Sequence, residues 1–357
     1  MSAVRAGDSA ARCGPADFGP RLVAWQRVHG RHDLPWQRDR DPYRVWLSEI
    51  MLQQTQVGVV HGYFERFVQR FPDVRTLAAA ALDDVLALWS GLGYYRRARH
   101  LHQCARQIVE RHGGSFPRRA DALAALTGIG RSTAAAIAAL SFGERAAILD
   151  GNVKRVLRRA CAPRLRGLQG AAELRALWAL AEELLPHEGI EAYTQGLMDL
   201  GATVCRVRRP ACAVCPFDAD CATRGADATP AATPAAAPRA RQRARWVLLW
   251  AQDADTSRVW LERRGPGGIW PGLWCLPQHA SVDAALRQAR ALGRVRARQQ
   301  LDATRHRLTH VDLELVPLRV QLRPQRCAGD DGGGWFDAHQ ALALGLPAPV
   351  RRMLHRA

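Results

Sequence analysis

The sequence predicts a two-domain protein, an all-α domain followed by a small α+β domain. From about Phe18 to Ala222, apolar residues recur at steps of three and four, which is the period of amphipathic helices. Residues 225–238 are rich in proline and alanine, a composition typical of linkers. Beyond them the period changes to strand-like alternation. We therefore expect domains at 18–224 and 245–357, joined by a linker over 225–244.

The helical domain is indicated by apolar residues that share one helix face. Two examples are Leu82, Val85, Leu86 and Trp89, and Leu174, Leu177, Trp178 and Ala181. Short glycine-rich breaks at 91–93, 113–114 and 128–130 separate the helical segments, and no convincing alternation occurs before residue 240. The proline- and alanine-rich stretch is followed by a basic run of Arg239, Arg241, Arg243 and Arg245. Beyond the linker, strands are expected at 246–250, 259–261 and 311–315, with one helix near 282–292.

Composition limits the class of protein. Lys and Arg outnumber Asp and Glu by 51 to 33, and the net charge of +18 favours a polyanionic partner such as nucleic acid. The first 20 residues hold no apolar run of signal-peptide length, and no stretch reaches the roughly 18 apolar residues of a membrane span. We therefore expect a soluble, cytoplasmic protein with no membrane partner.

Four of the nine cysteines lie close together, with the spacing C-x6-C-x2-C-x5-C. They are Cys205, Cys212, Cys215 and Cys221. Four neighbouring thiolates suit a structural tetrahedral zinc ion or an iron-sulfur cluster, and the spacing alone leaves both open. The first loop between these residues is basic, so a metal site would fix a loop suited to phosphate contact.

Residues 126–133 join two helical segments through Gly128 and Gly130. Glycine permits positive φ and lets the backbone approach a phosphate, with the next helix presenting its amide groups. In isolation, an ordinary helix-helix turn explains this pattern equally well.

Two carboxylates stand next to apolar helical patterns. Glu49 lies in an apolar segment, where desolvation would raise its pKa and keep it protonated as a general acid. Alternatively, it is a solvent-facing helix residue. Asp150 precedes a second apolar-periodic helix, so a helix N-cap is its simplest role.

Several runs together resemble the helix-hairpin-helix glycosylase superfamily and, within it, the MutY-type adenine DNA glycosylases. They are residues 42–57, 91–95, 126–133 and 149–156, followed by the cysteine spacing, and the likeness covers most of the chain. The resemblance implies one 4Fe-4S cluster per chain, held by the four cysteines. It also implies a monomer that binds double-stranded DNA in the nucleoid, and no protein partner follows from it.

The family pattern assigns roles to the two carboxylates. It implies that Glu49 protonates the adenine at N7, and that Asp150 stabilises the oxocarbenium-like sugar while water attacks with the help of Glu49. Asn152 would hold this arrangement in place.

The base must leave the stack before it can react, so a pocket and a filler for the duplex gap are needed. The resemblance places Arg31, Leu34 and Trp36 in the pocket, although core packing also explains the last two. Gln54 and Tyr94 would enter the duplex beside the opposing base. The remaining substrate-binding residues are Gln53 and Ser132 in the helical domain, and Thr309 and His310 in the second domain.

Ser132 discriminates within the superfamily, because bifunctional enzymes of the endonuclease III type carry a lysine there and form a Schiff base. The chain contains a single lysine, Lys154. It lies four residues after Asp150, close enough for weak adventitious lyase activity, but monofunctional excision is the prediction.

In the second domain, residues 267–277 look like the strand and loop of a Nudix fold. The segment 279–293 has only Asp283 as an acidic residue, too few carboxylates for a Nudix metal site. The resemblance instead assigns recognition of 8-oxoguanine to the loop 305–310. Leu308 departs from the aromatic residue usual there, whereas Thr309 and His310 keep hydrogen-bonding groups.

The resulting prediction is a monofunctional glycosylase that removes adenine opposite 8-oxoguanine or guanine. The alternatives are a bifunctional glycosylase and AP lyase of the same fold, and a non-catalytic DNA-binding protein with structural zinc.

Overall fold

The structure is a computed structural model that describes residues 15–224, 241–325 and 332–355, with side chains from Asp17 onward. Contacts divide the chain into two compact units. The first comprises Met1–Ala78 and Gln103–Ala235, and the second comprises Ala79–His102 and Ala236–Ala357. Residues 79–102, which precede the hairpin in sequence, thus belong to the same unit as the C-terminal part of the chain.

Residues 15–224 form helices, in agreement with the sequence. Their bounds are α1 (Pro15–His29), α2 (Pro42–Leu52), α3 (Val57–Arg70), α4 (Val74–Ala79), α5 (Leu82–Trp89), α6 (Arg96–His112), α7 (Ala120–Ala124), α8 (Arg131–Phe142), α9 (Gly151–Ala160), α10 (Gly170–Glu183) and α11 (Ile190–Asp199). Local sequence explains several ends. Asp41 caps α2 by accepting the Arg44 N–H at 2.9 Å, and Gly143, at φ 70°, ends α8 in the left-handed conformation.

Helix α1 lies at the centre of the first unit's packing. Phe18, 1% exposed, stacks on Phe217 with ring centroids 4.2 Å apart and meets Tyr193 of α11 edge-on at 6.4 Å. On the same helix the Trp25 indole donates to the carbonyl of Val214 at 3.0 Å. Helix α1 therefore joins α11 to the cysteine-rich segment.

The second unit includes α5 and the beginning of α6, and its described residues from 241 onward form one mixed sheet and three short helices. The strands are β1 (Gln242–Asp253), β2 (Val259–Arg263), β3 (Trp274–Cys275), β4 (Gln278–His279), β5 (Gly293–Gln300), β6 (Thr304–Arg307), β7 (Val311–Pro324) and β8 (Gly333–Phe336), with helices α12 (Val282–Leu292), α13 (Ala338–Ala343) and α14 (Ala348–His355). The strand order is β3-β2-β1-β7-β5, with β4 paired to β1, β6 to β7 and β8 to β2. Strands β1 and β7 run parallel from the pair Gln242 and Val311 onward.

The core of this sheet is covered by α12, whose Ala285, Leu286, Ala289 and Leu292 pack with apolar residues of β1 and β7. Its position confirms the helix predicted near 282–292. The predicted strands are confirmed as well.

Two sequence predictions need adjustment, and part of a third lies outside the described residues. Leu174 was predicted to lie on the apolar face of its helix but is 41% exposed. Strand β1 begins at Gln242, inside the predicted linker, so the basic run partly belongs to the sheet. There Arg245 pairs with Glu314 at 3.4 Å. Residues 225–240 of the predicted linker lie outside the described residues.

Among the described residues, no helix is both long and apolar enough to cross a membrane.

Replacing Phe18 by alanine is expected to lower the free energy of unfolding by about 3–5 kcal/mol, because it removes a buried ring that packs on two others. The matched control is Val28→Ala on the same helix, where the side chain is 73% exposed and the change should stay within about 0.5 kcal/mol. Urea unfolding of both variants measures the difference. Equal losses would contradict the packing role of Phe18.

Candidate active site

A pocket of about 370 Å³ opens in the first unit between α2, α8 and α11. Its lining includes Arg31, Leu34, Trp36, Val45, Glu49, Leu52, Gln195 and Met198. The structure therefore brings together the three residues assigned to the base pocket and one of the two predicted catalytic carboxylates. A mostly apolar cavity with a few polar groups is the usual form of a small-ligand site.

Glu49 lies on α2 among buried residues of the same helix, and its side chain is only partly exposed. Removal from water raises the pKa of Glu49 to about 7, with the negative charge of Asp150 as the second cause. Both effects disfavour the carboxylate form, so a proton is retained near neutral pH. This agrees with the sequence-based expectation of a desolvated acid.

Asp150 is the N-cap of α9, and its carboxylate accepts the Val153 N–H at 2.7 Å. The residue is exposed and does not line the pocket. Asp150 therefore caps α9, and its negative charge also raises the pKa of Glu49. The Ser132 hydroxyl accepts the Leu149 N–H at 2.9 Å, which ties the start of α8 to the residue before Asp150.

Arg31 in the pocket lining is held by a buried carboxylate that was not predicted from the sequence. Asp199, 1% exposed, accepts the Arg31 backbone N–H at 2.9 Å and its Nε at 2.7 Å. Gln195 donates to the same carboxylate at 2.8 Å. The available signal was an acidic residue in the apolar pattern of α11, since a buried carboxylate needs partners.

Asn152, in the first turn of α9, lies outside the pocket lining. Its Oδ1 accepts from Arg155 Nη2 at 2.8 Å, and the same guanidinium donates to the carbonyls of Gly201 and Cys205 at 2.6 and 2.8 Å. Arg155 therefore connects the helix that follows Asp150 to the first cysteine. Neither Arg155 nor Gly201 was singled out from the sequence.

Leu34 and Trp36 both line the pocket and pack in the interior. They are 8% and 6% exposed, and Trp36 meets Phe64 edge-on at 5.3 Å. The two side chains therefore pack in the core and line the pocket at the same time.

The glycine hairpin differs from expectation at one position. Gly128 has φ 82°, a conformation that favours glycine. Gly130 has φ −86°, so it is extended, and it serves as the N-cap of α8. The expected positive φ is therefore found at Gly128 but not at Gly130. The surroundings of Gly130 are open, because a Cβ added there would have no neighbour within 4 Å.

The two residues assigned to duplex insertion both have a positive φ, which is unusual for residues other than glycine. Gln54 follows α2 with φ 59°, and Tyr94 has φ 49° in the second unit. Both are exposed, Tyr94 by 47%. Non-glycine residues seldom adopt this conformation, and such strain is common at functional sites. Gln53, the C-cap of α2, is half-buried.

The four cysteines surround a small cavity of about 30 Å³. Arg159, 4% exposed, donates to Cys205 Sγ at 3.4 Å and to the Arg206 carbonyl at 2.7 Å, while its Nε has no partner. Within the described ranges, no three His, Cys, Asp or Glu side chains are arranged to hold a metal ion. The four cysteines nevertheless line one cavity beside the buried Arg159 guanidinium, a cation that suits anionic thiolate ligands.

In the second unit, Thr309 and His310 occupy the exposed turn between β6 and β7. The turn is closed by the Leu308 N–H donating to the Val311 carbonyl at 2.9 Å. The two side chains assigned to base recognition are therefore available to a partner.

Replacing Gly201 by alanine is expected to cost about 1–3 kcal/mol of unfolding free energy, since overpacking forces a shift. A Cβ there would lie 2.6 Å from Asn152 Cβ and 3.3 Å from its Cα. In the control Gly62→Ala, the nearest atom is the flexible end of Arg66 at 3.4 Å, so helix propensity should stabilise the protein by up to about 1 kcal/mol. Denaturant unfolding distinguishes the two, and a harmless Gly201→Ala would refute the tight contact.

Comparison with known proteins bears on both units. The family profile described as HhH-GPD superfamily base excision DNA repair protein matches residues 47–179, and the NUDIX domain profile matches residues 245–356. Among solved structures, a thermostable thymine-DNA glycosylase is similar, with a TM-score of 0.52 at 30% identity over 60% of this chain and 97% of that chain. The predicted combination of a helix-hairpin-helix glycosylase domain and a Nudix-like domain is confirmed.

Curated relatives cover more of the chain. An adenine DNA glycosylase of Buchnera aphidicola subsp. Schizaphis graminum is 32% identical over 346 residues, 94% of this chain and 97% of the relative. The adenine DNA glycosylase of Homo sapiens is 43% identical over 218 residues, 58% of this chain and 39% of the human protein. With identity at this level along nearly the whole length, and with a desolvated glutamic acid in its pocket, the chain belongs to the adenine DNA glycosylases, enzymes of base excision repair.

Proposed function

We propose that this adenine DNA glycosylase removes adenine paired with 8-oxoguanine or guanine, by hydrolysis and without cutting the DNA strand. The observation that carries the proposal is Glu49, a carboxyl with a pKa of about 7 in a pocket lined by Arg31, Leu34 and Trp36. A proton donor that is half protonated near neutral pH suits general acid catalysis.

The reaction begins with the adenine flipped out of the duplex into the pocket, where apolar walls bind its faces. Glu49 transfers its proton to N7, so the C1′–N9 bond can break with adenine leaving as a neutral base. The electron pair of that bond stays with N9. Protonation before departure is needed because the adenine anion is a poor leaving group.

Bond breaking leaves positive charge on the sugar. Asp150, whose carboxylate is fixed by its bond to the Val153 N–H, stabilises this charge electrostatically. Glu49, now a carboxylate, accepts a proton from water as the water oxygen bonds to C1′. Two carboxylates around an anomeric carbon are the usual arrangement of glycoside hydrolysis. Asn152, held by Arg155, keeps the start of α9 in place.

Monofunctional chemistry follows from the absence of an amine at the hairpin. Ser132 occupies the position at which the bifunctional type has lysine, and its hydroxyl is engaged with the Leu149 N–H. Without an amine at this position, the hairpin supplies no nucleophile for a Schiff base with the sugar, and hydrolysis without strand cleavage is the main reaction.

Recognition of the opposing base belongs to other residues. Thr309 and His310 on their exposed turn supply hydrogen-bonding groups for 8-oxoguanine. Gln54 and Tyr94 are exposed and suited to enter the duplex. The backbone of the hairpin at Gly128 and Gly130 suits phosphate binding at the start of α8.

We further propose that the four cysteines hold one 4Fe-4S cluster. A cluster spaces its four cysteine sulfurs further apart than a single zinc ion does, and the four cysteines here line one small cavity beside the buried Arg159 guanidinium. When bound, the cluster would cross-link the loop between Cys205 and Cys212. This loop carries the exposed Arg206, Arg208 and Arg209, which suit contact with DNA phosphates.

The substrate prediction is tested by single-turnover incubation with duplexes that carry adenine opposite 8-oxoguanine, guanine or thymine. We expect strand cleavage at the adenine only after alkali, and only in the first two duplexes. Cleavage without alkali would establish a lyase instead. Loss of adenine opposite thymine would contradict the assignment of the opposing base.

Replacing Glu49 by glutamine should lower the excision rate at least about 10²-fold, since proton transfer to the base is lost. Binding of the mismatched duplex, measured by fluorescence anisotropy, should change little because size and polarity are preserved. Glu65→Gln serves as the control, since Glu65 is an exposed residue of α3. Retained excision by the Glu49 variant would remove this residue from the mechanism.

The cluster is tested by metal analysis of the purified protein. A brown preparation with about four iron and four acid-labile sulfide per chain is expected, as the cluster type requires. A colourless protein with one zinc per chain would favour the structural-zinc alternative.

A further inference from the structure

The loop Gly91–Gly93, which precedes Tyr94, rests on the carbonyl group of Leu346 within the second unit. Ser90 Oγ donates to this carbonyl at 2.6 Å, and Tyr95 Oη donates to it at 3.0 Å. Ser90 and Tyr95 flank the loop on either side, and both are 8% exposed. A single buried acceptor therefore fixes both ends of the loop.

Further bonds extend this arrangement in two directions. The Gly91 N–H donates to Tyr95 Oη at 3.3 Å, which connects the loop to its own far end. Arg351 of α14 donates from Nε to Ser90 Oγ at 3.0 Å and from Nη2 to the Leu344 carbonyl at 3.2 Å. Helix α14 thus holds both the serine and the chain segment that presents Leu346.

The contact between Gly345 and Leu86 leaves no room for a side chain at position 345. A Cβ added at Gly345 would lie 2.8 Å from Leu86 Cβ on α5. The segment before Leu346 is therefore seated directly against the helix that leads into the loop. Tight packing of this kind resists displacement of the carbonyl.

Tyr94 itself is held in a costly conformation. Its φ is 49° although 47% of the side chain is exposed, and the surrounding structure must maintain such a backbone. Arg97 lies 5.4 Å from the ring centres of both Tyr94 and Trp89. The Trp89 indole donates to the Gly93 carbonyl at 3.0 Å. Arg97 and Trp89 thus lie on either side of the segment 90–95 that the Leu346 carbonyl anchors.

We propose that Leu346 and Arg351 form a brace that positions Tyr94 for insertion beside the base opposite the adenine. This inference rests on the proposed function, in which Tyr94 is the inserted side chain. The brace makes Ser90, Tyr95 and Arg351 positioning residues for excision. They act through Tyr94 and touch no reacting atom.

The recognition turn with Thr309 and His310 belongs to the same compact unit as the brace. The loop that enters the duplex and the turn that reads the opposing base are therefore parts of one body. Loosening the brace should weaken discrimination between 8-oxoguanine and guanine as well as the rate.

The test is a double-mutant cycle on the full-length protein, with single-turnover excision from the adenine and 8-oxoguanine duplex as readout. Tyr95→Phe removes one hydroxyl and should slow excision by about three- to tenfold, the usual effect of one lost hydrogen bond. In a Tyr94→Ala background the same change should have no further effect, because the brace then has nothing to position. Arg351→Gln should behave in the same way.

Tyr43→Phe is the matched control. The Tyr43 hydroxyl also donates to a buried carbonyl, that of Phe71, at 2.6 Å, but in the first unit. Its loss should lower thermal stability by a similar amount, and any effect on rate should be the same in both backgrounds.

Two results would overturn the brace alone. They are an unchanged rate in Tyr95→Phe, and an equal loss with and without Tyr94. If Tyr94→Ala itself excises at the wild-type rate, the insertion role in the proposed function fails, and the brace fails with it.

Discussion

The proposed mechanism depends on keeping a proton on Glu49 in a pocket whose lining also includes Arg27, Arg31 and Arg40. Desolvation and the charge of Asp150 both favour the protonated acid, whereas a bare guanidinium nearby would favour the carboxylate. At Arg31 this effect is offset by Asp199, whose buried carboxylate pairs with the guanidinium at 2.7 Å, and Arg40 is paired with Glu191 at 3.0 Å. Arg31 can then contribute donors to a base without attracting the charge of the acid.

A short series of contacts links the active site to the cysteine-rich segment. Arg155 bonds Asn152 on one side and the Cys205 carbonyl on the other, and Arg159 on the same helix reaches Cys205 Sγ. Helix α9 thus begins at the residue that acts on Glu49 and ends beside the proposed cluster. Any ligand that orders the cysteines also steadies the helix that Asp150 caps.

Much of this could be predicted from the sequence, since helix periodicity, linker composition and strand alternation are local properties. Glu49, Arg31, Leu34 and Trp36 were assigned to one site from the family pattern, and the structure does bring them together. Asp199, Arg155 and Gly201 were missed because their importance comes from partners distant in sequence. Arg31 and Asp199, for example, are 168 residues apart, and no local pattern records such a pair.

The unit to which residues 79–102 belong could not be predicted from the local sequence either. Their helical period is clear from the sequence, and α5 forms as expected. Their membership in the second unit, however, depends on contacts such as Ser90 with Leu346, which are 256 residues apart. Periodicity predicts which face of a helix is buried, but it does not identify what covers that face.

The mechanism requires Glu49 to act as an acid whose pKa is raised by burial and by Asp150. This requirement is measured by the pH dependence of single-turnover excision, from about pH 4 to pH 9, for the wild-type protein and Asp150→Asn. Because the acid must be protonated, the wild-type rate should be highest at low pH and fall through a midpoint near the Glu49 pKa of about 7. Removing the charge at 150 should lower that midpoint, whatever it does to the maximal rate. A wild-type midpoint near the ordinary glutamate value of 4.5, or one that Asp150→Asn leaves unmoved, would refute this role of Glu49.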